Sequence, residues 1–382
     1  MKKLIIPVLG LALLATSCKK EENITPTTSN LKIQYSSLTA TSNYKTTFVD
    51  AAGKTTVDFS GQTTRISMLK EMDAHMKAGT SADVDATKLI NMFRNQNTPF
   101  TSADLNAATD KVISSKTAQS FSATEADAER QRFIGYFNEL ERISKMNGQT
   151  AAQGKAGVLG TNRLVDEKGF EYSQFVQKGL IGAMMLDQIA NIYLGTDKQS
   201  ADNTTPNEGK NYTAMEHHWD EAYGYMTANE TYPVKGSESF LGEYARQGAS
   251  VSGGAENLYL AFLKGRAAIV NNDLATRDEQ IGYIRTELEK AVAAVAISYL
   301  NKTNSATDDA SRFHALSEGV GFIYSLRFAH SAKINRAKSE ELLNILMGKA
   351  NGFWSLTAAD INNVRDQIAT TFSIDKTTVL SH

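Results

Sequence analysis

Apolar residues recur at intervals of three and four along most of this 382-residue chain, and only 5 prolines interrupt them. An α-helix brings positions i, i+3, i+4 and i+7 to one face, so this spacing predicts helices that each bury one side. Ile66, Leu69, Met72 and Met76 form one such row, opened by Thr64 and stopped by Gly79. Leu89, Met92 and Phe93 mark a second helix within 81–94, and Ser102 caps a third. Ser122-Ala123-Thr124-Glu125 has the form of a capping box, followed by a core stripe of Phe133, Ile134, Phe137, Leu140 and Ile143. The run 175–194 is apolar on most sides, which predicts a central helix with Met184 and Met185 in the core. Further rows lie in 255–270 and 275–300, in a helix opened by Asp308, and in 339–347 and 357–372. About ten helices with moderate loops imply an all-α fold built from helix bundles. Two bundles joined near the glycine-rich stretch 149–160, or one continuous α-domain, both fit.

The N-terminus sets the compartment. Met1-Lys2-Lys3 is a short basic segment, Leu4 to Leu14 an apolar run too short for a permanent membrane span, and Ala15-Thr16-Ser17 a small-residue site. Cys18, the one cysteine in the chain, follows at once. This arrangement resembles the lipobox of bacterial lipoproteins, with residues 1–17 as signal peptide and a diacylglycerol carried on Cys18. The family usually has leucine three places before the cysteine, where this chain has Ala15. Lys19 stands where inner-membrane lipoproteins carry aspartate, which favours the outer membrane, on either its periplasmic or its cell-surface face. Residues 18–45, rich in Thr, Ser and Asn, read as a lipidated flexible tether. The rest divides into an N-terminal helical region, 46–160, and a C-terminal helical bundle, 161–382. The net charge of −2 argues against a nucleic-acid binder, which needs a basic footprint.

Chemistry concentrates in Glu216-His217-His218-Trp219-Asp220-Glu221. On a helix His218 and Glu221 are i,i+3, while His217 and Glu221, and Glu216 and Asp220, are i,i+4. An imidazole and a carboxylate at that spacing can hold one cation from a single turn, and the ligand mixture suits Fe, Zn or Mn better than Ca. His314 and Glu318 repeat the i,i+4 pattern in the C-terminal bundle. If the two helices face each other, the two pairs meet. The competing reading is structural: helix surfaces are rich in His/Glu pairs, and a buried His–Glu hydrogen bond leaves the same trace in sequence. His75, His330 and His382 read as surface residues, and Arg266 as pairing locally near Asn271-Asn272-Asp273. No His-Glu-x-x-His turn, phosphate loop, dinucleotide fingerprint or calcium loop is present.

The lipobox, the all-α pattern and the His218-x-x-Glu221 turn together resemble imelysin-like proteins, whose motif is Gly-x-His-x-x-Glu. Glu216 stands at the glycine position. The resemblance implies a pair of four-helix bundles and a role in bacterial iron acquisition. A closer resemblance, carried by Asp58 to Arg65, Thr213 to Tyr225 and His314 to Glu318, is to an uncharacterised family of bacterial lipoproteins. Three functions follow as expectations. The first is a lipoprotein that captures Fe or Zn, or a metal complex, through His218, Glu221, Glu216 and His217 with His314 and Glu318 in support, serving an outer-membrane transporter. The second is a zinc-dependent hydrolase with Glu221 or Glu216 as base. The third is a structural, glycan- or protein-binding lipoprotein in which the His/Glu turns are buried polar networks.

Overall fold

The structure, a computed structural model, describes residues 31–248 and 251–379. The segment expected as signal peptide, the expected lipidation site Cys18, and His382 lie outside those residues. The chain opens with α1 (Tyr44–Thr47), α2 (Ser60–Lys77), α3 (Ala86–Arg94), α4 (Ala103–Ala107) and α5 (Ala123–Ser144). A short antiparallel hairpin follows, β1 (Gly157–Leu159) with β2 (Arg163–Val165), Val158 opposite Leu164. Helix α6 (Tyr172–Leu180) then runs into π-helical turns over Ile181–Leu186 and Gln188–Tyr193. After α7 (Thr196–Gln199) come α8 (Ala214–Met226), α9 (Leu241–Gly248), α10 (Ala255–Val270) and α11 (Leu274–Ser305). The chain closes with α12 (Asp309–Ser325), α13 (Arg336–Met347) and α14 (Ala358–Phe372). The fold is all-α, as expected, with several tightly packed helices.

Helix α11 is the axis of the packing: α9, α10, α12 and α14 all lie against it. Ala291-Val292-Ala293-Ala294-Val295-Ala296-Ile297 is buried at every position, so this segment is enclosed on all sides. Its four alanines are short, which lets neighbouring helices approach at close-packed distances. The buried apolar side chains form one contiguous core that draws on both 46–160 and 161–382. Phe133 of α5 meets Tyr324 of α12 edge-on at 5.7 Å, and Phe59 meets Tyr223 of α8 at 5.5 Å. Where the π-helical turns cross α12, Gly182 donates to Ser325 Oγ at 3.0 Å. A Cβ on Gly182 would stand 2.3 Å from the Ser325 Cα, so the crossing requires glycine.

Several expected boundaries moved. Helix α2 begins at Ser60, not Thr64, whose hydroxyl instead donates to the Ser60 carbonyl at 3.0 Å. The second helix begins at Ala86 because the Asp85 side chain, not Ser81, caps it by accepting from Lys88 N. The helix expected over 339–347 starts at Arg336, capped by Asn335; Ser339 is buried inside it, beside Arg327. The Ser122/Glu125 capping box forms, and a second one, Thr357 with Asp360, opens α14. Of the stretch expected as tether, residues 31–45 are docked. Ile33 exchanges two backbone bonds with the Asn271 side chain, at 3.0 and 2.9 Å, and Tyr35 OH donates to Asp273 at 2.8 Å. Tyr44 is fully buried and stacked on Tyr223 at 3.9 Å. Aromatic side chains in a polar run supply the apolar area and hydrogen bonds that a tether lacks. Among the described residues, no helix is long and apolar enough to cross a membrane.

Candidate functional site

Helix α8 carries the His/Glu run, and its start is set by a capping box. Thr213 Oγ1 accepts from Glu216 N at 3.2 Å, and Glu216 Oε2 accepts from Thr213 N at 2.7 Å. The other Glu216 oxygen takes a bond from Arg266 at 2.7 Å, and Asp220 takes one from Arg266 Nε at 2.9 Å and one from Tyr44 OH at 3.0 Å. Both Arg266 and Asp220 are wholly buried. Arg266 therefore does not pair locally near Asn271, as its sequence neighbourhood suggested; it ties α10 to α8 through a charge network. Glu216 is turned to that network, about 100° per residue around the helix from His217, and is not brought to the histidines. Trp219 locks the same two helices, donating to Phe262 O at 2.9 Å over Gly265, where any Cβ would strike its ring.

The adjoining face gathers His217, His218 and Glu221. Glu221 Oε2 lies 3.1 Å from His218 Nδ1 and 3.9 Å from His217 Nε2. Glu221 Oε1 accepts from Gln62 of α2 and from Tyr193 of the last π-helical turn, both at 3.0 Å. Neither partner was legible in sequence: Gln62 opens an ordinary amphipathic helix, and Tyr193 reaches Glu221 from a π turn. The His217 ring stacks on Tyr212 at 4.9 Å, and its Nδ1 is buried without a hydrogen bond of ordinary geometry, although the Asp58 backbone lies beside the ring. Burial pulls the His217 pKa below its usual 6.5, despite the nearby Glu221 and Asp58 charges, so the ring is neutral at pH 7. Burial pushes Glu221 up, but the His218 hydrogen bond, the attraction of the His217 ring once it is protonated, and the Gln62 and Tyr193 bonds outweigh it and leave the carboxyl below its ordinary range. Two ligands about 2.1 Å from a tetrahedral ion sit about 3.4 Å apart, and the two nitrogen–oxygen separations here bracket that value. Among the described residues, no three such side chains stand in a ready coordination geometry.

The second turn is arranged differently. His314 Nδ1 lies 2.7 Å from Glu171, the residue that precedes α6, and its Nε2 lies 3.3 Å from Glu318. Lys178 of α6 supplies the counter-charge to Glu318 at 3.0 Å. Burial raises the Glu318 pKa, but Lys178 and then His314 more than reverse it, so the carboxylate stays charged. No hydrogen bond or ion pair among the described residues links His314 or Glu318 to the α8 turn, so the structure does not join the two pairs. Instead α12 packs on α6, α11 and α13, while α8 packs on α2, α10 and the π-helical turns.

Residues 43–375 match the family described as Domain of unknown function (DUF4856). The chain belongs to that family. The match begins beside Tyr44 and takes in both His/Glu turns, the Arg266 network and helices α1 to α14 of the described residues. No curated protein matches the chain. No solved structure does either.

Proposed function

We propose that this DUF4856 chain is a lipid-anchored protein of the outer membrane that captures a transition-metal ion, Fe or Zn, or a complex of it, at the α8 turn. What supports this is the meeting of two imidazoles on one carboxylate oxygen, Glu221 Oε2, with His217 neutral and Glu221 ionised. Those are the protonation states a metal requires, so binding there displaces few protons. His218 and Glu221 are the principal ligands and His217 the third. Gln62 and Tyr193 hold Glu221 from behind, as outer partners of a metal ligand do. Delivery to an outer-membrane transporter, anchorage through Cys18 and a pair of four-helix bundles belong to the same reading, by the resemblance to imelysin-like proteins. Glu216 and His314 with Glu318 are left out of the metal shell, since Arg266 and Lys178 already neutralise those carboxylates. A base for hydrolysis has little support here, because Glu221 already receives Gln62, Tyr193 and His218.

The test is titration of the metal-stripped protein with Zn²⁺ and Fe²⁺, followed by calorimetry and elemental analysis. One ion per chain is expected, lost on Glu221→Gln or His218→Ala and kept on His314→Ala. Equal binding by all four proteins, or none by any, removes the metal reading. The second reading, a polar clamp between helices, is favoured by the full set of protein donors on Glu221. It requires that Glu221→Gln lower the melting temperature while metal has no effect on either protein.

A further inference from the structure

A separate cavity of about 360 Å³ opens between the segment after Tyr193 and the outer face of α11. Its volume falls in the range of pockets that take small molecules, about 300–1,000 Å³. Its wall includes Leu194, Thr196, Gln199, Arg277, Gly282 and Arg285.

The charges in this wall do not cancel. Arg277 is spoken for: Asp278 accepts from its Nε at 2.9 Å and from its NH2 at 2.7 Å, and the Gln199 carbonyl accepts from NH1. Arg285 has no carboxylate partner within ion-pair distance among the described residues. Its Nε donates to Ala190 O at 2.8 Å and its NH2 to Leu194 O at 2.9 Å. A guanidinium carries five N–H donors, so the rest of this fork is unused. Arg285 is half-buried, and the opposing charge that bears on it among the described residues is Asp278. A planar fork of this kind fits a carboxylate with two parallel bonds.

A second polar group belongs to the same wall. Gln199 is 4% exposed; its Nε2 donates to the Tyr193 carbonyl at 2.8 Å, and its Oε1 is buried with no partner. A buried acceptor left open seeks a donor. Gly282 adds a third feature: it sits inside α11, where glycine is a poor helix former, yet a Cβ there would meet nothing within 4 Å. Packing does not require that glycine, and its bare backbone keeps the cavity open.

We infer that this cavity binds a small hydroxycarboxylate, its carboxylate on the Arg285 fork and its hydroxyl donating to Gln199 Oε1. The site does not depend on the metal reading, since it shares no ligand with the α8 turn. Calorimetric titration of the full chain with L-malate, succinate and inorganic phosphate tests it. Malate is expected to bind with one site per chain. Succinate, which lacks the hydroxyl, and phosphate are each expected to bind about tenfold more weakly or worse. Arg285→Gln is expected to weaken malate about tenfold or more. That substitution also removes two bonds to the end of the π-helical turns, so Gly282→Leu is the control for folding. It fills the cavity, should leave the melting temperature equal or higher, and should abolish malate binding. No malate binding by the native chain, equal affinity for malate and phosphate, or undiminished binding by the Gly282→Leu chain would each overturn the inference.

Discussion

The turn of α8 and the turn of α12 each set an imidazole beside a glutamate at helical spacing, yet their surroundings are opposite. At α12 the acidic and basic groups are matched and enclosed: the Lys178 and Glu318 side chains are 3% and 7% exposed, and both His314 nitrogens face carboxylates. A lysine ammonium already stands where a cation would go. At α8 the side chains of His217 and His218 are 26% and 17% exposed, the carboxylate between them meets no lysine or arginine of the described residues within ion-pair distance, and His217 Nδ1 lacks an ordinary partner. The same short pattern thus yields a closed ion pair in one place and an open, polarised cluster in the other. What separates them is the third residue: Lys178 comes from α6, and nothing equivalent comes from α2 or the π-helical turns, which contribute Gln62 and Tyr193 instead.

The sharpest way to break this comparison is to remove the cation at α12. Lys178→Met leaves Glu318 buried opposite a thioether, and breaking a buried pair on one side costs about 3–5 kcal/mol. A large fall in melting temperature is expected, measured by calorimetry, with Zn²⁺ affinity of the folded protein unchanged. Adding Glu318→Leu should recover most of the loss, since an apolar pair of similar volume removes the stranded charge. If Lys178→Met proves neutral, the α12 turn is not closed and the contrast with α8 fails. The matching change at α8, Glu221→Gln, keeps hydrogen-bonding capacity and costs less, about 1–2 kcal/mol. Its effect should fall on metal affinity instead.

The helices were legible because they are local: stripe, cap and stop lie within one stretch of chain. Ser122 with Glu125 announces α5, and the apolar run through Met184 and Met185 announces a buried helix. The His218/Glu221 and His314/Glu318 pairs were legible for the same reason. What decides their meaning is not local. Arg266 reaches Glu216 from 50 residues away and Gln62 reaches Glu221 from 159 away, so the spacing within α8 holds no trace of either. A local signal was also present at α8: Thr213-x-x-Glu216 has the Ser/Thr-x-x-Glu form of Ser122 and Glu125, and it assigns Glu216 to the helix start. The docking of residues 31–45 escaped notice because a Thr/Ser/Asn-rich composition outweighed single aromatic anchors, Tyr35 and Tyr44. The π-helical register has no composition of its own; the first of its turns is where Gly182 meets Ser325.

A smaller effect at the α8 turn is read by acid titration. The His217 pKa is depressed in the fold, so the unfolded chain takes up the proton first as pH falls. The stability from keeping that ring neutral is therefore present above about pH 6.5 and is lost as pH drops through the folded value. Glu221 is depressed as well, so its share is present above about pH 4.5 and is lost at lower pH. Melting temperatures followed from about pH 7 down to about pH 5 should fall less for His217→Phe, which keeps a ring on Tyr212, than for the native chain. Identical slopes for the His217→Phe and native chains would mean that the α8 histidine is no more desolvated than one on the surface.

The smallest expected change is the most selective. Tyr193→Phe deletes one hydrogen bond to Glu221 Oε1 and leaves the ring in place, so the cost in stability is about 0.5–1.5 kcal/mol. A clamp and a metal site diverge at this residue. If Glu221 serves only to hold α8 to α2 and the π-helical turns, the lost bond appears in the melting temperature and nowhere else. If Glu221 is a ligand, Tyr193 sets where its carboxylate points, and losing that outer partner should weaken Zn²⁺ by about 10–100-fold. The ratio of the two effects is therefore the measurement: a large loss of affinity beside a small loss of stability identifies a positioning residue behind a metal ligand. A small loss of stability with no ligand effect makes the α8 turn a more open version of the closed pair at α12.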